Sequence, residues 1–159
     1  MGKIIDCHVH VAAMTPGAWL HVGPIAENAS LSLHALAAGV IAAHCGTRSA
    51  PFETDYFDEF VRLVHQYENL YGDTAALNLP MRTHAFDGIF KDDVVRSRIV
   101  HRSDWPVIAF PAPTRVGVSA SVELMKEKNW MRRDMLIKQR FGFDEEYWQR
   151  AAKLLRIAD

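Results

Sequence analysis

Cysteine is scarce in this chain: 159 residues carry only Cys7 and Cys45, too few for a disulfide framework or a four-cysteine zinc module. No apolar stretch approaches the roughly 20 residues that cross a bilayer. The opening MGKIIDCHVHV sets an acid and two histidines where a secretory signal would carry its apolar run. An excess of one charge is missing too. The 18 Lys and Arg against 19 Asp and Glu leave a formal net charge of −1, which argues against a general polyanion binder and against a basic membrane-facing surface. Internal repeats, low-complexity tracts and composition breaks are also lacking, so residues 1–159 read as a single domain. What is present is ordinary globular material, 49% hydrophobic and 23% charged. The expectation is a cytoplasmic protein with no nucleic-acid or membrane partner.

Four β-prone runs alternate with helical segments. Lys3–Cys7 reads as a buried strand, followed by a loop punctuated by Pro16, Gly17, Gly23 and Pro24. The run SLSLHALAAG predicts a short helix that Gly39 ends. Val40–His44 is the second strand. Thr54 or Asp55 then caps a helix whose apolar face is Phe57, Phe60, Val61, Val64 and Tyr67. ENLYGD is the third strand, and a helical or irregular stretch from Pro80 to Ser97 leads to the fourth, RIV, which runs into HRSDWP. Pro106, Pro111 and Pro113 stop that strand from continuing. Two or three helices are expected in the tail, the last capped by Asp144 and burying Tyr147, Trp148, Ala151, Leu154 and Leu155. The alternation predicts an α/β fold, a parallel sheet covered by helices.

The chemistry-bearing stretch is Asp6-Cys7-His8-Val9-His10. Alternate side chains of an extended chain share a face, so Asp6, His8 and His10 point the same way. Two imidazoles roughly 6.5–7 Å apart at Cα can converge on one divalent ion, and Asp6 can orient one of them. The alternative is a strand end with two solvated histidines. The other strands also finish in polar groups: His44, then Asp73, then Ser103-Asp104. Ligands of parallel α/β sheets gather at the carboxyl ends of the strands, so His8, His10, His44 and Asp104 can meet at one rim. Three imidazoles and a carboxylate suit zinc, and can also hold iron, manganese or cobalt. Taken singly, His44 reads better as a hydrogen-bonded core histidine and Asp104 as a helix or turn cap, and it is their joint pattern that points to a site.

In order, IIDCHVHV, VIAAHCG, NLYGDTAAL and RIVHRSDWP resemble segments of the amidohydrolase superfamily, in its branch of metal-dependent hydrolases and decarboxylases. The resemblance implies a (β/α)₈ barrel with an HxH on its first strand, histidines after the fifth and sixth, and a catalytic aspartate after the eighth. His8 and His10 match the first-strand pair, His44 the sixth-strand histidine and Asp104 the catalytic aspartate. His8, His10, His44 and Asp104 are thus the implied ligands of a divalent metal, with zinc the expected ion. Asp104 binds it or takes the proton of the attacking water. Asp6, Asp73 and Ser103 are implied as supporting groups around them. The implied activity is hydrolysis at a carbonyl. Non-oxidative decarboxylation of an aromatic acid is the alternative within the family, and a catalytically inactive remnant with weak metal binding the alternative outside it.

The chain departs from the pattern in one respect above all. A complete barrel takes about 250 residues, and only a short loop-like stretch separates His10 from Leu31, where the second to fifth strands would lie. The fifth-strand histidine has no assigned counterpart, although His21 is available. Arg102 stands where relatives usually have glycine. The expected architecture is therefore an incomplete TIM-type barrel: a four-stranded parallel half-sheet in the spatial order sixth, seventh, eighth, first. Such a half-sheet has two open edges, so a homodimer or larger self-association is expected.

Other residues read as ordinary. His34, His65, His84 and His101 are expected at the surface or in caps. Lys126, Lys128, Arg132, Arg133, Lys138 and Arg140, interrupted by Glu123, Glu127 and Asp134, read as a solvated helical face. Cys45 faces away from His44 if both lie on one strand. Trp130 and Trp148 read as packing residues.

Overall fold

The structure, a computed structural model, describes residues 40–48 and 50–154. The expected strand Lys3–Cys7, the helix at 30–39, Leu155, and the candidate residues Asp6, His8, His10 and His21 lie outside the described residues.

Three short parallel strands form one sheet in the order β1 (Val40–Ala42), β2 (Leu70–Asp73), β3 (Ile99–Val100). Ala42 pairs with Gly72, Gly72 with Ile99 and Asp73 with Val100, so the three carboxyl ends sit side by side. Parallel neighbours need crossover connections. Helix α1 (Phe57–Gln66) makes the first; α2 (His84–Lys91) and α3 (Asp93–Ser97) make the second. Four further helices follow, α4 (Pro113–Val116), α5 (Val118–Met125), α6 (Trp130–Phe141) and α7 (Glu145–Leu154), where two or three were expected. Among the described residues, then, the chain is mixed α/β with a three-stranded parallel sheet. No described helix is long and apolar enough to cross a membrane.

Local chemistry explains the helix starts. The Asp55 carboxylate accepts from Phe57 N at 3.1 Å, just ahead of α1. Asp92 accepts from Val94 N and Val95 N to start α3, Asn129 from Arg132 N to start α6, and Asp144 from Tyr147 N to start α7. These side chains satisfy amides that have no partner within the helix. Helix α1 buries Phe57, Phe60, Leu63 and Val64. Tyr67 lies beyond its end and is 54% exposed, so Leu63 takes the position on the apolar face that Tyr67 was expected to hold. The main core joins α1, α2 and the sheet to Phe143, Tyr147 and Trp148, and a smaller one gathers Ala109, Leu124 and Ile137.

Three expectations need correction. The strand predicted through His44 stops at Ala42; a tight turn, Ala43–Gly46, replaces its end. His101 is not at the surface but buried against Tyr147 and Trp148. Within the supposedly solvated basic face, Lys138 and Arg133 are buried. The Arg133 guanidinium serves the Glu127 carbonyl at 2.6 Å and the Ala109 carbonyl at 3.4 Å, which ties α6 to the segments before it.

Candidate active site at the carboxyl ends of the strands

His44 enters the site through backbone strain. It and Cys45 have φ of 54° and 52°, left-handed values that L-residues adopt uncommonly. The turn is held by Asp73, the last residue of β2, whose Oδ1 accepts from His44 N at 2.9 Å and Ala75 N at 3.0 Å. The turn also sends consecutive side chains opposite ways. Cys45 points inward, is fully buried, and its Sγ donates to the Asp73 carbonyl at 3.1 Å. Burial pushes its thiol pKa well up, so it is a packing group rather than a nucleophile.

The His44 ring points to the rim. Its Nδ1 lies 2.8 Å from the Ala75 carbonyl. A carbonyl can only accept, so Nδ1 carries a proton, and in the neutral ring Nε2 keeps the lone pair. Nε2 lies 3.8 Å from Oδ2 of Asp104. Burial, then the Arg82 charge, hold the His44 pKa below the usual imidazole value, while Asp73, Asp104 and the Ala75 carbonyl pull the other way. The net effect favours the neutral ring.

Asp104 is buried and also left-handed, with φ of 65°. Ser103 shapes this second turn, its Oγ accepting from Trp105 N at 3.2 Å, and Val107 N donates to the Asp104 carbonyl at 2.8 Å. Two cations stand among these acids: Arg102, which the sequence sets beside Asp104, and Arg82, which sequence reading did not assign to the rim. Arg82 is buried, donates through Nε to the Arg48 carbonyl at 2.9 Å, and interacts with Asp104 and Asp73. Arg102 places Nη1 3.8 Å from Asp73 Oδ2. No local motif marks Arg82; only the fold carries it to the rim.

His44, Asp73, Ser103 and Asp104 are therefore adjacent, while Asp6, His8 and His10 lie outside the described residues. Among the described residues, no three His, Cys, Asp or Glu side chains are arranged to hold a metal ion. The pair that is described fits part of such a cage. Zinc holds imidazole and carboxylate at about 2.0–2.2 Å, which puts tetrahedral ligands about 3.4 Å apart. The Nε2–Oδ2 separation of 3.8 Å is close to that, and a ring fixed by Nδ1–H on a carbonyl has the tautomer that a ligand needs. Comparison with protein-family models, curated proteins and solved structures finds no significant match.

Proposed function

We propose that the chain is a metal-dependent hydrolase of the amidohydrolase type, acting on a small molecule through His8, His10, His44 and Asp104. The observation that carries this reading is His44 Nε2 facing Asp104 Oδ2 at 3.8 Å across the carboxyl ends of β1 and β3. A divalent ion, zinc by expectation, supplies Lewis-acid polarisation of a carbonyl and acidifies water when bound. His44 presents Nε2 as a ligand because the Ala75 carbonyl holds the proton on Nδ1. Asp104 is the second ligand or the group that takes the proton from the attacking water. Asp73 fixes the His44 turn through two backbone N–H groups and plays no direct part in the reaction. Ser103 shapes the turn that presents Asp104.

In the architecture that accompanies this reading, Lys3–Cys7 adds a fourth strand beside β3, giving an incomplete barrel that pairs with a second copy.

A second reading has its own support. Arg82 and Arg102 set two positive charges beside the two carboxylates, which offsets their charge without any ion and favours an inert remnant with weak metal binding. Metal stoichiometry on folded protein, with its mass in solution, separates the two. The hydrolase reading expects at least one zinc per chain and a homodimer or larger. It also expects zinc binding to weaken at least about tenfold in His44→Ala, in Asp104→Ala and in the His8→Ala/His10→Ala pair. Less than one ion per chain, unchanged by these substitutions, rejects it. Carbon dioxide released from an aromatic acid by loaded protein would move the assignment to decarboxylation.

A further inference from the structure

On α6, Trp130, Asp134 and Lys138 follow one another at intervals of four residues and so share one face of the helix. Each meets a segment that leaves the sheet. The Trp130 ring packs on Trp105 at 5.5 Å between centroids. Asp134 Oδ1 accepts from Asn78 Nδ2 at 2.5 Å, in the segment after β2. Lys138 Nζ donates to Asp134 Oδ2 at 2.5 Å and to the Arg102 carbonyl at 2.6 Å. Arg102 and Trp105 bracket Ser103 and Asp104, so α6 grips the Asp104 turn from both sides.

Stability alone accounts poorly for this arrangement. Lys138, Asp134 and Asn78 are all buried, and a buried ion pair is commonly no more stabilising than apolar residues of the same volume. What the pair does locally is fix a carbonyl two residues before Asp104. That residue holds a left-handed backbone, a conformation a non-glycine side chain keeps only where its surroundings impose it.

We infer that α6 is a brace for the Asp104 turn and that Lys138 is its positioning residue, acting through the Arg102 carbonyl. This rests on the reading of His44 and Asp104 as one site. Lys138→Met alone would strand a buried carboxylate, so the test uses Asp134→Asn/Lys138→Met in the full chain, with Lys138→Arg as the conservative variant. Three quantities are read: zinc affinity by chelator competition, amide exchange of residues 101–107, and the urea midpoint. The brace predicts faster exchange concentrated at 101–107, zinc binding weaker by about tenfold, and recovery of both in Lys138→Arg. Exchange that rises uniformly with lost stability, or stays unchanged at 101–107, overturns it. Unchanged zinc affinity in a folded double variant with loosened exchange overturns the positioning role as well. If the wild-type chain binds no zinc, the site reading fails, while exchange at 101–107 still decides the brace. Should the double variant not fold, Trp130→Leu leaves the ion pair intact and gives the same exchange readout.

Discussion

The hydroxyl of Tyr147 lies 2.7 Å from Oγ1 of Thr74 and 3.2 Å from Nδ1 of His101, so a single oxygen fastens α7 to the exits of both β2 and β3. All three residues are buried. Burial pushes the Tyr147 pKa well up, and the hydroxyl stays protonated and able to donate. Thr74 in turn holds the β3 exit, its Oγ1 lying 3.4 Å from both the Val100 carbonyl and the Arg102 amide. Tyr147→Phe keeps the ring and removes only this junction, leaving buried polar atoms short of a partner. The expected loss is about 1–3 kcal/mol of unfolding free energy, read from urea titration with the slope unchanged. A loss under about 0.5 kcal/mol would show the junction to be idle.

Stability should fall as pH drops from about 7 to about 5, and His101 should account for much of the fall. Burial, and after it the Lys138 charge, hold the His101 pKa well below the usual value. Tyr147 and Trp148 pack against the ring, and neither carries a carboxylate to offset this. Well above about pH 6.5 the ring is neutral in folded and unfolded chains alike, so it contributes no pH dependence there. Below that value the unfolded chain takes up a proton that the folded chain refuses. Stability is lost by up to about 1.4 kcal/mol per pH unit for each such group. His44, held down by burial and Arg82, acts in the same direction over the same window. His101→Phe is expected to flatten the slope without abolishing it. Identical slopes for the two proteins in urea titrations at several pH values would contradict this assignment.

The elements that were legible carry their signals locally. VIA, LYGD and IV stand out because short β-prone runs lie between turn residues, and Asp144 announces α7 because a capping carboxylate sits just before a helical apolar face. The register of Tyr67 failed for a local reason too. Helical spacing marks a face but not where the helix ends, and α1 ends at Gln66. The site was legible only in part. Histidine and aspartate at strand ends draw attention by type, yet His44 and Asp104 themselves hold left-handed backbone without being glycine, and only the first turn carries a glycine, Gly46, to announce it. Lys138 was misread because a lysine among five other basic residues looks solvated. Its burial depends on Asp134 one turn before it and on the Arg102 carbonyl, a partner far away in sequence. Arg82 was missed for the same reason.

Gly72 links the packing of the core to the position of Asp73, and its substitution gives a sharp test of that link. A Cβ at this position would meet the Phe60 ring, and would stand 2.7 Å from Cys45 Sγ. Both neighbours are buried in the main core, so neither has room to withdraw. Gly72→Ala is therefore expected to cost about 1–3 kcal/mol by overpacking. The strain has one soft direction, because shortening the Phe60 side chain opens the space that the new methyl needs. Phe60→Leu alone should destabilise by leaving a cavity, whereas Gly72→Ala/Phe60→Leu should lose less than the sum of the single losses, with a coupling of about 0.5–3 kcal/mol. Simple additivity in urea titrations would mean that β2 moves rather than the ring. Asp73 would then be displaced, and the bond from His44 N to Asp73 Oδ1, 2.9 Å in this chain, would be the next contact to fail.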